Sequence, residues 1–92
     1  MRDIDRVTLQ LWTLCSEVSV DQLPVTHAGA DDHGLWFYSK PGQPFEVQIE
    51  APDGMCPFHI ESVGNDLRFR AHSVAEAVEI LKYLLHIDSL TA

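Results

Sequence analysis

Residues 34–87 carry the feature that most limits what this chain can become. Four short segments alternate apolar and polar residues, each is closed by Pro, Gly or Asn, and the last runs into Ser73-Val74-Ala75-Glu76. That tetrad is a helix start. The Ser73 hydroxyl can accept the N–H of Glu76, and the Glu76 carboxylate can reach back to the N–H of Ser73. Alternation with a period of two leaves each strand one buried face. A helix that is apolar on one side is the natural cover for such a face.

The segments read as follows. Leu35-Trp36-Phe37-Tyr38-Ser39 is an apolar strand that ends at Lys40-Pro41-Gly42-Gln43, where Pro-Gly suits the centre of a type II turn. Phe45, Val47, Ile49 and Ala51 alternate with Glu46, Gln48 and Glu50, and Pro52-Asp53-Gly54 turns the chain again. Phe58 and Ile60 face in, with His59 and Glu61 outward. Beyond the hairpin residues Gly64-Asn65-Asp66, Leu67, Phe69 and Ala71 face in, with Arg68, Arg70 and His72 outward. A hairpin closed at Gly64-Asn65 sets Glu61 opposite Arg68 and His59 opposite Arg70; a shift of one residue sets Glu61 opposite Arg70. The last helix runs from about Val74 to Ile87, with Val74, Ala77, Val78, Leu81, Leu84 and Leu85 on its apolar side.

The N-terminal part is less sharply patterned. Ile4, Val7, Leu11, Leu14 and Val18 recur at spacings of three and four, Cys15 joins their face, and Asp3 or Asp5 suits the N-cap, so residues 4–18 read as a helix. Val7 to Leu11 also alternates, which is the competing strand reading. Leu9 and Trp12 fall off the main apolar face, three residues apart and therefore neighbours. Residues 19–34 hold the least pattern, with His27, Asp31, Asp32 and His33 near their end.

The expected fold is two-layer α+β: a four-stranded antiparallel meander covered by a C-terminal helix, with an N-terminal helix, in the order α-β-β-β-β-α. The 92 residues make a single domain, 1–92. A domain of this size buries only about 60–65% of its unfolded surface, which leaves little room for a deep enclosed site. A hydrophobic share of 46% with 22% charged residues predicts an ordered globular chain.

The formal net charge of −8 argues against direct binding to nucleic acid, because phosphate backbones repel such a surface. It suits a basic protein partner. Between Arg6 and Lys40 there is no Lys or Arg, while Glu17, Asp21, Asp31 and Asp32 fall there. No apolar run reaches the roughly 18 residues of a membrane span. Met1-Arg2-Asp3-Ile4-Asp5-Arg6 does not read as a secretory leader, and two cysteines are too few for a disulfide framework, so the cytoplasm is the expected compartment.

No reaction is legible. His27, Asp31, Asp32 and His33 are ordinary metal-ligating types, but their spacing matches no strong ligand motif, so no metal or other cofactor is expected; His27, Asp31 and His33 are the weaker metal candidates. Cys56-Pro57-Phe58-His59 has a Cys-x-x-His spacing without a second pair. Cys56 is the one nucleophile candidate, since Cys15 lies on the core face of its helix. Glu46, Glu50 and Glu61 sit near arginine and water, conditions that keep carboxylates ionised and disfavour general-acid chemistry. The expectation is a small acidic, non-enzymatic interaction protein of the inhibitor, immunity, chaperone or adaptor kind. Its partner is another protein, a basic one or a second copy of the chain. The contact candidates are Leu9, Trp12, Asp31, Asp32, Trp36, Tyr38, Arg68 and Arg70, and Trp36 reads equally as core. The alternatives are a ligand- or metal-binding domain built on the His27–His33 loop, and mimicry of DNA by the acidic surface.

Overall fold

The computed structural model describes residues 2–22, 34–42, 46–64 and 66–87. Helix α1 spans Asp3–Leu14. Five strands follow, β1 Ser19–Gln22, β2 Leu35–Ser39, β3 Val47–Glu50, β4 Phe58–Ser62 and β5 Arg68–Ala71, and helix α2 spans Val74–Leu85. A short 3-10 turn, Pro52–Gly54, links β3 to β4. The strands form one antiparallel sheet in the order β1-β2-β3-β4-β5.

The sheet therefore has five strands where the sequence pattern predicts four. The additional strand is β1, of which only Val20 is even half-buried. It is held by its backbone pairing to β2, with Ser19 across from Ser39 and Gln22 across from Trp36. Side-chain alternation barely reports such a strand, because only Val18 and Val20 alternate there and the strand's other side chains are exposed. The N-terminal helix is also shorter than its periodicity suggests, ending at Leu14 instead of residue 18. Cys15 is already extended and its N–H closes the last turn on the Leu11 carbonyl at 2.7 Å. Val18 is buried all the same, in the approach to β1.

Both helices lie on one side of the sheet. Trp36 and Tyr38 of β2, Val47 and Ile49 of β3, and Phe58 and Ile60 of β4 meet Ile4, Val7 and Leu11 of α1 and Ala77, Val78, Leu81 and Leu85 of α2 in one core. The other side of the sheet, with Glu50, His59, Arg68 and Arg70 exposed, has no covering layer among the described residues.

The helix starts differ from expectation in detail. Ser73 Oγ accepts the N–H of Glu76 at 3.1 Å, but the Glu76 carboxylate takes the N–H of His72, at 2.6 Å, not that of Ser73. At α1 the N-cap is Arg2, whose N–H and guanidinium both donate to Asp5. Asp3, expected as a cap, instead accepts the N–H of Cys56 at 3.0 Å and ties the entry of β4 to the helix. Helix α2 ends on left-handed His86, with the N–H of the buried Ile87 reaching the Lys82 carbonyl at 2.9 Å, a Schellman-type closure.

Two glycines test how the turns are built. Gly42 and Gly54 both have positive φ, at +86° and +74°. A Cβ on Gly42 would meet nothing within 4 Å, whereas one on Gly54 would lie 2.9 Å from Arg2 Cδ and 3.0 Å from Ile4 Cγ2. Gly42→Ala should cost about 1 kcal/mol, from backbone strain alone. Gly54→Ala should cost about 2–3 kcal/mol, because α1 must also shift. Urea denaturation of the two variants checks this; equal losses would mean that the contact with α1 is unimportant.

Candidate functional site

Helix α1 presents two large apolar side chains to solvent beside β1. Leu9 and Trp12 are each 45% exposed. Trp12 is not free to swing, because its indole N–H donates to the Val18 carbonyl at 2.9 Å. Together with Asp5, Thr8, Val20 and Trp36 they line a shallow groove between the helix and the sheet edge. Trp36 is nearly buried, and the Arg2 guanidinium lies 5.5 Å from its ring centre. Arg2 also holds Asp5 as an ion pair at 3.2 Å. Hydrogen bonding to that guanidinium pulls the Asp5 carboxyl below its ordinary range, so the groove keeps an ionised acid on its rim.

The second surface is the uncovered face of the sheet. The register sets Glu61 opposite Arg68 and His59 opposite Arg70, as a hairpin closed at Gly64-Asn65 requires. Glu61 and Arg68 form an ion pair at 2.8 Å, and Arg68 is 76% exposed there. An ion pair this open to water contributes about 0–1 kcal/mol. Gln48, Glu50, His59, Glu61 and Arg68 border a shallow hollow on this face. Arg70 lines a separate hollow with Ala75, Glu76, Glu79 and Ile80 of α2.

The remaining candidates separate cleanly. Trp36 and Tyr38 belong to the core, 5% and 0% exposed, although Trp36 also forms part of the groove wall. The Tyr38 hydroxyl shares a 2.8 Å hydrogen bond with Thr8 Oγ1 and so joins β2 to α1. His27, Asp31, Asp32 and His33 lie outside the described residues, as does Phe45. Among the described residues no three His, Cys, Asp or Glu side chains are grouped as metal ligands. Cys15 and Cys56 are both unbridged thiols. Burial, and then the nearby Asp3 carboxylate, push the Cys56 thiol up to about 11, so it is a neutral thiol near pH 7 and a poor nucleophile. No helix among the described residues is long and apolar enough to cross a membrane.

Sequence reasoning named Leu9 and Trp12 but missed Val20, Thr8 and Asp5, which complete the groove. The brief Val18–Val20 alternation was the available signal for a strand at that point. Comparison of the chain with known protein families, curated proteins and solved structures finds no match.

The half-buried Cys56 thiol and the buried Tyr38 phenol set an alkaline limit on the fold. Burial raises Tyr38 from 10.0 to about 12, and Cys56 moves from 9.0 to about 11. In both cases the folded state retains a proton that the unfolded chain releases. The stabilisation is full below the unfolded values and is lost as pH rises through the folded ones. Stability should therefore fall from about pH 9 upward, with Tyr38 accounting for up to about 2–3 kcal/mol between pH 10 and 12. Tyr38→Phe should lose about 1 kcal/mol at pH 7, with the Thr8 bond, and show a flatter curve above pH 10. Urea midpoints at a series of pH values check this; a wild-type curve that stays flat to pH 12 would contradict it.

Proposed function

We propose that this protein is a non-catalytic protein-interaction module of the cytoplasm, where its two free thiols stay reduced. The observation that carries the reading is the pairing of exposure with rigidity at Leu9 and Trp12. Large apolar side chains left in water favour contact with another surface, and a preordered side chain loses little entropy when the contact forms. Trp in particular anchors interfaces, because one ring covers much area with few rotatable bonds.

Three features support binding over chemistry. The described hollows are shallow and lie at the surface. Cys56 stands as a neutral thiol. On the open sheet face Glu61 is held in an ion pair by Arg68 at 2.8 Å and is not presented as a free acid. An inhibitor, immunity-type protein, chaperone or adaptor needs a surface and not a pocket, and the negative charge favours a basic partner.

Leu9→Glu is the direct test, since the Leu9 side chain stands 45% exposed on α1 and Glu keeps the helix backbone. The tagged wild-type protein should retain a protein partner from its own cells at low salt, and Leu9→Glu should lose it while unfolding with an unchanged midpoint. Equal capture by both proteins would overturn the reading, as would no capture together with sedimentation as a monomer.

A further inference from the structure

We propose that the outer edge of β1 is a strand-addition site for an extended segment that alternates apolar and basic residues. The inference rests on the contact surface placed at Leu9 and Trp12 and names what that surface takes.

In an antiparallel ladder each residue turns its N–H and C=O to the same neighbour, and the next residue turns both the opposite way. The Ala51 N–H donates to the Gly34 carbonyl at 2.8 Å, so Gly34, Trp36 and Tyr38 bond toward β3. Phe37 and Ser39 then bond toward β1, where they pair with Asp21 and Ser19. Val20 and Gln22 are left with their N–H and C=O groups on the outer edge. No strand among the described residues pairs with β1 on that side. Val18 precedes them on the same edge, and its carbonyl is already taken by the Trp12 indole at 2.9 Å. Trp12 thus closes one end of the exposed ladder and sets where an added strand begins.

An added strand would place alternate side chains on the two sides of the sheet. On the helix side they would fall beside Val20 and over the groove of Leu9 and Trp12, which suits apolar groups. On the open side they would fall beside exposed Asp21, with exposed Glu17 in the turn before the strand. Asp21 and Glu17 are both acidic, and the charge they offer suits basic groups.

The opposite edge makes the contrast within one molecule. The Ser62 N–H donates to the Leu67 carbonyl at 2.9 Å, which turns Leu67, Phe69 and Ala71 toward β4 and leaves Arg68 and Arg70 on the outer edge of β5. That edge repels a basic strand. A second copy offering its own β1 would bring two acidic strands together, which is also unfavourable. Strand addition at β1 by a basic, alternating segment is the match that remains.

The probe is a short capped peptide that alternates valine and lysine, followed by amide hydrogen exchange on the full chain. Exchange at Val20 and Gln22 should slow by roughly tenfold or more at saturating peptide, with none at Arg68 and Arg70. Methylating alternate peptide nitrogens should abolish the effect. Gln22→Pro should too, because it removes an outward N–H and no bond to β2. Asp21→Lys, or raising salt from about 50 to about 500 mM, should weaken binding. No protection at Val20 and Gln22, equal protection of Arg68 and Arg70, or full binding of the methylated peptide would overturn the proposal. If Gln22→Pro fails to fold, the methylated peptide on the wild-type chain decides. Loss of partner capture by Leu9→Glu together with full capture by folded Gln22→Pro would leave the interaction surface standing and overturn strand addition.

Discussion

Tyr38, Val47, Ile49, Phe58 and Ile60 stand on one side of the three central strands, and water reaches almost none of them. That face cannot exist without a cover. At about 25 cal/mol for each Å² of apolar surface kept from water, the cover is the main source of stability in so small a domain. Two helices supply it, α2 through Ala77, Val78, Leu81 and Leu85, and α1 through Ile4, Val7 and Leu11. The polar links between the layers serve this packing. Thr8 meets Tyr38, Asp3 holds the Cys56 N–H, and Lys40 donates to the His86 carbonyl at 3.0 Å.

Once that face is covered, the sheet has two kinds of surface left. Its open face is charged and wet, with Glu61 and Arg68 paired across strands in a way that adds little stability. Its edges differ in sign. The β5 edge carries Arg68 and Arg70, a common device against unwanted strand pairing. The β1 edge carries one acid and lies beside the only described place where a tryptophan is both exposed and tied down. Among the described residues the two edges of the sheet thus differ in the charge they carry.

Much of the scaffold was legible in the residues, for reasons that can be named. The alternation in β3 and β4 is long enough to assign a face to every side chain. Gly64, with φ of 111°, marks the hairpin, which fixes the register that sets Glu61 against Arg68. Ser73 caps α2 because its hydroxyl has one good donor to meet. The errors are equally physical. Glu76 takes the His72 N–H because a flexible carboxylate has more than one donor within reach. Strand β1 escaped notice because a backbone ladder holds it and its side chains mostly face water.

The sequence by itself determined the order of helix, meander and helix, the inward and outward residues of the central strands, and the acidity of the stretch between Arg6 and Lys40. These follow from local periodicity and composition, which need no knowledge of distant contacts. Only the tertiary structure decided that Trp36 is core while Trp12 is surface, that the Val18 carbonyl accepts an indole N–H, and that Val20, on the end strand of the described sheet, lines a groove with Leu9. Each of those depends on which elements meet across the fold, and residues far apart in the chain carry no periodic mark of their meeting.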